Sequence, residues 1–596
     1  MPESEDEYDS DGSDSSMGRG KRQKKSIDRE VSYGPQWASK TVMPFQSNAS
    51  VSFATCCYIA RPAHTDPDDP TLSQAYHLDN PSRSNWIDAT VTEITTNIFN
   101  THTLDVATDA ELSGKFIMAY FTFRFLRKLL ADGTIDKYKV RGCIQGNRLK
   151  SEHPWDTFSP TINPLVFATI RALSVFLKLV TSSFDIVAAY LHQEYPSTSP
   201  IILMQLPKPI ALLMNLDPET RYRLKKYLYG KDDAGRAFYD RFSALLITGG
   251  YIMSACDPCL FFRRISPTSV IMILIHVDDG YVSSSQQQLI DELYTYIRIT
   301  FELTVEPCIT NHLGVTHTTA LDGLHLSQMK LLKKMFLLAK VDELPYMNSP
   351  SRLSPRVIEN PTDLCDLTAY RSLVGCGMYI QHSKPEIAHY LSEASSKFNK
   401  PPNNADYESL RDLCRYLYDT QHITLTLPTR LDDTVPLRLY VWVDASYLTD
   451  PVNSTSWICF CFSFAPRGMF YTKTSLVPEV KTSSTHIETH ALFTAIKDVL
   501  YIITLLEELG FPIDTPVSIY EDNASCIALV EGPANAAKRV KHFIMMVNYC
   551  RQQVQAGLIK LEDIDSERNI ADIGTKKLYG KHFIDLRDQQ LNYQQS

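Results

Sequence analysis

No apolar run of about 20 residues in this chain is free of charged side chains, so neither a membrane span nor a signal peptide is expected. An excess of positive charge is missing too. The 596 residues carry a net charge of −9, with a sequence pI near 6.0. That excludes a uniformly basic nucleic-acid coat but leaves room for a local basic groove, where phosphate contacts act. Regular cysteine spacing is absent as well. Of 13 cysteines, Cys256 and Cys259 in ACDPC come nearest to a metal motif. No second CxxC or His pair accompanies them, and there is no CCHC knuckle, which argues against zinc. The cysteines read as reduced, mostly buried thiols of an intracellular protein.

Length alone predicts two to four domains. Residues 1–30 are strongly biased. Glu3, Glu5, Asp6, Glu7, Asp9, Asp11 and Asp14 alternate with serines, and Arg19, Lys21, Arg22, Lys24 and Lys25 follow. So little apolar surface cannot offset chain entropy, and a disordered acidic/basic tail is expected. The KRQKK stretch at Lys21 reads either as a solvated charge run or as a nuclear-import patch, giving a cytoplasmic protein with nuclear access. The DSDGS tract lacks the flanking apolar strands of an aspartic protease. Residues 31–104 are rich in Pro, Ser, Thr and Asn with little helix signal; Trp37 and Trp86 suggest partial docking onto the body.

The organising stretch is SVIMILIHVDDGYVSS, residues 269–284. Asp-Gly between two β-rich runs predicts a hairpin with a type I′ turn, placing Asp278 and Asp279 at or beside its tip. Taken alone, the pair reads as a polar turn with two solvated acids. Asp185 in SSFDIVAAYL changes that balance, being a third acid at the end of a β-type run. Three carboxylates on the strand ends of one sheet can hold two divalent ions about 3.5–4 Å apart, suited to in-line displacement at phosphorus.

FDIVAAYL and HVDDGYV, in that order, resemble the two catalytic motifs of a reverse transcriptase, and the flanking text is similar to copia-type retrotransposon polymerases. The resemblance covers roughly residues 110–580. It implies an α+β fold with reverse transcriptase fingers and palm over 105–330 and a helical thumb or connection region over 331–430. An α/β RNase H-like domain would follow over 437–585. FIMAYFTFRFLRKLLADGTIDKYKVRGCIQG resembles the fingers hairpin, with Lys139 and Arg141 at basic positions near the incoming triphosphate. Gln145 stands where the family has a second cation, which removes a charge-assisted phosphate contact of about 1.5–3 kcal/mol. Tyr190 matches the aromatic that blocks a ribose 2′-hydroxyl; a core aromatic is the plainer reading. In LKKYLYGKDDAGRAFYDRF, Tyr229, Gly230 and Arg236 match, whereas Lys231, Asp232, Asp233 and Gly235 depart from the pattern, and Asp233 would put negative charge near phosphates. Lys330, Lys333 and Lys334 would line the primer–template path.

The last 160 or so residues change period and read as β-β-β-α-β-α, the order of an RNase H domain. Asp444, Glu488, Asp522 and Asp572 fall on the family's SDAD, EAEY, CDN and ADILTK motifs. Plainer roles exist for two of them: Glu488 closes a capping box with Thr485, and Asp572 favours a helix N-terminus. Ser446 and His486 replace acidic residues of the family pattern.

The resemblance therefore implies an RNA-directed DNA polymerase with a linked ribonuclease H, using two Mg²⁺ (or Mn²⁺) ions per site. Its metal ligands would be Asp185, Asp278 and Asp279 in one site and Asp444, Glu488, Asp522 and Asp572 in the other. The implied partners are RNA template, DNA primer, RNA–DNA hybrid and deoxynucleoside triphosphates, with no membrane. The text looks like the terminal segment of a copia-type polyprotein. Two other readings stand beside it: a decayed or domesticated relic that binds nucleic acid without polymerising, and a cellular two-metal nuclease whose front half is scaffold.

Overall fold

The sixteen residues that organise the sequence become the middle of a six-stranded antiparallel sheet. Its order is Leu303–Glu306, Val180–Ile186, Asp279–Ser284, Ser269–His276, Leu260–Ser266 and Ile252–Met253. Ser269–His276 is buried along nearly its whole length, which explains why SVIMILIH shows no polar alternation: a strand covered on both faces is apolar throughout. One face is covered by the helix Pro164–Phe176, whose Ile170 and Leu173 are fully buried as its periodicity predicts.

This is a computed structural model, and it describes residues 70–594 apart from 130–134, 147–148, 150–156, 354–356, 359, 400, 451–454, 478–480 and 534–539. The acidic/basic tail, the Lys21 stretch and Trp37 lie outside the described residues.

A second sheet, the fingers, pairs Phe116–Leu129 with Ile135–Ile144 as the hairpin read from the sequence. Ile201–Gln205, Arg221–Leu224 and Leu104–Val106 extend it. Residues 71–99 correct an expectation, for they form helices rather than irregular chain: Leu72–Ala75, Arg83–Thr92 and a π-helical stretch Glu93–Phe99. Sparse anchors replace an amphipathic stripe here. Trp86, fully buried, packs edge-on to Phe125 and Tyr138 of the hairpin, and the Glu93 carboxylate accepts the Gly142 amide at 2.9 Å. Such anchors leave no periodic signal.

Helices Met329–Ala339, Leu367–Ile380, Ala388–Ser396 and Asn404–Asp419 enclose a separate core around Phe336, Tyr370, Leu373 and Tyr416. Lys330, Lys333 and Lys334 lie on the exposed side of the first of these. The excursion then closes, because Leu425–Pro428 pairs back onto Gly323–Ser327.

The C-terminal sheet runs Tyr471–Val477, Thr455–Ser463, Tyr440–Asp450, Val517–Glu521, Ile559–Asp563; its first three strands are antiparallel and its last two parallel. The order of three strands, a helix and a further strand read from the sequence is the order found. The helix Ser484–Leu509 lies across the sheet and is long and apolar enough to cross a membrane by length and composition. Its Ile487, Leu492, Ile496, Val499 and Leu506 are nevertheless fully buried inside the protein. The palm and the C-terminal sheet also share one hydrophobic core, continuous from Ile162 to Leu591. Phe176 meets Phe464 at 5.9 Å between ring centroids. The Tyr501 hydroxyl donates to the Cys256 carbonyl at 2.8 Å, and the Glu508 carboxylate accepts from Ser254 Oγ at 2.6 Å and the Ala255 amide at 2.7 Å.

Candidate active sites

Register brings the palm acids together. Asp185, near the end of Val180–Ile186, stands directly opposite Asp279 on the neighbouring antiparallel strand. Side chains of such a pair share a face, with Cβ atoms about 4.5–5.5 Å apart. Asp278 precedes Asp279 in the turn, and its carbonyl accepts the Ile186 amide at 3.0 Å.

The turn itself differs from the sequence reading. His276 pairs with Asp279, so the two turn residues are Val277 and Asp278, and the positive φ falls on Val277, at 61°. A positive φ at the first turn residue alone is the type II′ pattern, not type I′. A β-branched residue held there is strained, a cost that recurs at functional sites. Gly280 is needed for another reason. It lies in the strand opposite Phe184, whose ring atoms stand 2.1–2.7 Å from where a Cβ would be. Glycine lets the Phe184 ring lie flat beneath the acidic turn.

The fingers supply cations. Lys139 and Arg141 occupy one face of Ile135–Ile144, and Arg124, which sequence reasoning missed, stands directly opposite Arg141. Like charges so placed repel unless an anion joins them. The Arg141 guanidinium lies over the Tyr229 ring at 5.2 Å. Tyr229 in turn meets Tyr190 edge-on at 5.3 Å, and Tyr190 meets Phe238 at 6.3 Å. Burial pushes the Tyr229 phenol well up; the Arg141 cation opposes this, while Glu93 and Asp278 add to it. Tyr229 therefore lies within electrostatic reach of both the fingers guanidinium and the palm turn. It was read from the sequence only as a motif match.

The departures around KDDAG are largely compensated. Lys231, nearly buried, places its ammonium 2.8 Å from carboxylate oxygens of both Asp232 and Asp233. The negative charge expected from Asp233 is thus met within the loop. Gly230, at φ 91°, passes so close to Ile144 that a Cβ would fall 2.4 Å from its carbonyl oxygen, so the family glycine is kept for a backbone crossing. Arg236 pairs with Asp240 at 2.8 Å and reaches the Phe158 carbonyl at 3.4 Å.

In the C-terminal sheet the four acids converge. Asp444, on the central strand, is 1% exposed; Asp572 and Glu488 are also buried, and Asp522 is half-buried. Oxygens of Asp444, Asp522 and Asp572 lie within 4.8 Å of one another, as do those of Glu488, Glu521 and Asp522. Burial, with the neighbouring Asp572 charge, pushes the Asp444 carboxyl well above the usual range; Lys576 and the Thr575 hydroxyl pull it back. The Lys576 ammonium bridges Asp444 and Asp572 at 3.2 and 2.8 Å. Sequence reasoning missed Glu521 and Lys576, although both adjoin motif residues in YEDN and DIGTKK.

Two plainer roles fail. The long helix is capped by Ser483, which accepts the His486 amide, so Glu488 is an interior buried residue and forms no capping box with Thr485. Asp572 sits inside a 3-10 turn, Ile570–Gly574, rather than opening an α-helix.

The donor set suits Mg²⁺ or Mn²⁺, which take carboxylate oxygens. Glu488 Oε2 and Glu521 Oε2 are buried without a hydrogen-bond partner, as ligand oxygens would be. ACDPC has no such character. Asp257 is buried, accepts the Asn163 and Cys259 amides at 2.8 and 2.7 Å and is pushed up to about 6 by burial, which makes it a brace for the helix Pro164–Phe176.

Residues 120–348, which hold most of the fingers and palm strands, match the family model described as "Reverse transcriptase (RNA-dependent DNA polymerase)". Over most of its length the chain is similar to retrotransposon Pol polyproteins. It is 26% identical to the "Retrovirus-related Pol polyprotein from transposon RE2" of Arabidopsis thaliana over 83% of this chain and 33% of that protein. It is 26% identical to the one from transposon TNT 1-94 of Nicotiana tabacum over 76% and 34%. The chain thus spans about a third of the length of these relatives, and the resemblance to copia-type Pol polyproteins drawn from the motifs is borne out. A solved structure titled "Structure of the foamy viral protease-reverse transcriptase dRH in complex with ds DNA" aligns over 80% of this chain and 69% of its own, with a TM-score of 0.41 and 11% identity.

Proposed function

We propose that the chain is an RNA-directed DNA polymerase with a linked ribonuclease H, acting on an RNA template, a DNA primer, deoxynucleoside triphosphates and the resulting RNA–DNA hybrid. The observation that carries this reading is the register of the palm sheet, which gathers three acids at one hairpin end, with Asp278 in the turn beside Asp279. Asp185 faces Asp279 on the same sheet.

Each group has a distinct task. Lys139, Arg141 and Arg124 receive the triphosphate, the guanidinium groups offering paired donors that match phosphate oxygens. Tyr190, held edge-on by Tyr229 and Phe238, walls the space beside the sugar. Asp185, Asp278 and Asp279 would hold divalent cations in the palm, as Asp444, Glu488, Asp522 and Asp572 would in the second site. Such cations supply a lowered pKa for the attacking hydroxyl or water and neutralise charge on the phosphoryl group. The exposed Lys330, Lys333 and Lys334 offer a cationic face to the nucleic-acid backbone. Arg236, already paired with Asp240, contributes by holding the 158–159 segment against the helix Ala234–Thr248.

Primer extension on an RNA template by the full chain, with Mg²⁺ or Mn²⁺, tests the reading. Template-dependent addition is expected; hybrid binding without addition would favour the relic. Tyr190→Ala is expected to raise ribonucleotide relative to deoxyribonucleotide incorporation by roughly tenfold or more, the scale on which an apolar wall discriminates by size. Competition assays with paired nucleotides measure it, and an unchanged ratio would reduce Tyr190 to packing.

A further inference from the structure

The carboxylates of the C-terminal sheet fall into two halves whose charge is met differently. On one side the Lys576 ammonium bridges Asp444 and Asp572, and the Thr575 hydroxyl donates to the second oxygen of Asp444. On the other side are Glu488, Glu521 and Asp522, and no ion pair to Glu488 or Glu521 occurs among the described residues. Glu521 Oε1 accepts the Asn523 amide at 3.2 Å. Its Oε2, like Glu488 Oε2, is buried without a hydrogen-bond partner, although the two residues are only 0% and 5% exposed.

Glu521 is out of place by the logic of its strand. Val517, Ile519 and Glu521 share the buried face of Val517–Glu521, where the pleat calls for a third apolar residue. A carboxylate taken out of water at such a position is costly unless it is paired or coordinates a cation. Its nearest counterparts are two further carboxylates, with ligand oxygens within 4.8 Å. Three like charges at that spacing repel one another, and a cation between them turns the repulsion into attraction.

We propose that Glu488, Glu521 and Asp522 form a divalent-cation site in which Glu521 is an added ligand, and that this site fills before the half already bridged by Lys576. The inference deepens the nuclease reading given above and rests on it. The geometry fits a hard octahedral ion: with oxygens at about 2.1 Å, opposite ligands stand about 4.2 Å apart, so small side-chain adjustments close the cluster. The charge fits as well. Five carboxylates against one ammonium leave four negative charges, which is the charge of two divalent cations; without Glu521 the site is one short. The order of filling follows from Coulomb repulsion. A cation entering beside Asp444 and Asp572 meets the Lys576 ammonium at ion-pair distance, whereas one entering beside Glu488 and Glu521 feels it only from farther off.

The test is a Mn²⁺ titration of the full chain in an Asp185→Asn/Asp278→Asn background, which silences the palm. Calorimetry and the spin-resonance signal of free Mn²⁺ give the affinities. The parent is expected to bind one ion tightly and a second more weakly. Glu521→Gln, close in shape, should weaken the tight site at least about tenfold, or about 1.4 kcal/mol. It should also raise the ion-free melting temperature or leave it unchanged, while shrinking the rise that Mn²⁺ produces; loss of a merely structural contact would lower the ion-free value. Lys576→Met should strengthen the weaker site far more than the tight one, and an equal gain at both overturns the order of filling. An unchanged tight affinity in Glu521→Gln overturns the assignment while the nuclease reading stands. A parent that binds no Mn²⁺ at all overturns both. Should Glu521→Gln fail to fold, Glu521→Asp decides in its place: a ligand shortened by one methylene must weaken the tight site, and equal affinity overturns the proposal.

Discussion

Asp278→Asn is expected to abolish nucleotide addition on an RNA template while the circular dichroism of the full chain stays that of the parent. The two side chains have nearly the same volume, and asparagine is at home in a turn. The backbone contact that matters, the Ile186 amide to the residue 278 carbonyl, survives the change. What disappears is one negative charge at the point where the Asp185–Asp279 pair ends. Removing a single preorganised electrostatic group costs about 10²–10³ in rate, and loss of a cation ligand should cost at least that. Asp444→Asn provides the reciprocal case. It should stop degradation of RNA in an RNA–DNA hybrid and leave primer extension close to the parent rate, because its partners Lys576 and Thr575 belong to the other sheet's cluster. Both variants are to be assayed on one hybrid at one Mg²⁺ concentration. Extension at the parent rate by Asp278→Asn would remove the palm acids from the chemistry, and undiminished RNA cleavage by Asp444→Asn would do the same for the C-terminal cluster.

A second large effect is expected from separating the halves. A fragment beginning at residue 437 should be insoluble or should melt without a cooperative transition. Cutting there strips Phe464 of Phe176, Tyr501 of the Cys256 carbonyl and Glu508 of Ser254 and Ala255. The Leu591 carbonyl also loses the Thr426 amide, and Phe583 loses Tyr416. Each large apolar side chain newly exposed forfeits about 1.5–3 kcal/mol, and a handful of them rivals the 5–15 kcal/mol that holds a typical domain together. Thermal and urea denaturation of the fragment beside the full chain measure this. A soluble fragment with a sharp transition would show that the shared core is dispensable.

Much of this was legible in the residues. The β-rich runs at 116–144, 269–284, 440–477 and 517–521 form strands where their composition placed them, because β-branched and aromatic residues bounded by turn residues leave few alternatives. The acids are legible for a similar reason, since a carboxylate ending an apolar strand contradicts its surroundings. What escaped depends on contacts across long stretches of chain. Nothing near Gly280 announces Phe184, which lies almost a hundred residues earlier; the Asp-Gly pair signalled a turn, and the turn formed two residues earlier, on Val277 and Asp278. Residues 83–99 look irregular because Trp86 and Glu93 find their partners on the hairpin rather than along a helical stripe. Asp233 appeared to be an unanswered charge, although its answer, Lys231, is two residues away. Neighbours in sequence give no sign of folding back on each other until a loop is built.

On the function proposed above, the shared core between palm and C-terminal sheet would make the molecule a ruler. Because one hydrophobic core joins the two sheets, a hybrid laid across both acidic clusters would be gripped at two fixed marks. The stretch of RNA surviving behind a growing DNA end would then have one length, set by packing such as that of Phe176 on Phe464 rather than by timing. Enlarging or trimming that packing would change the gauge itself.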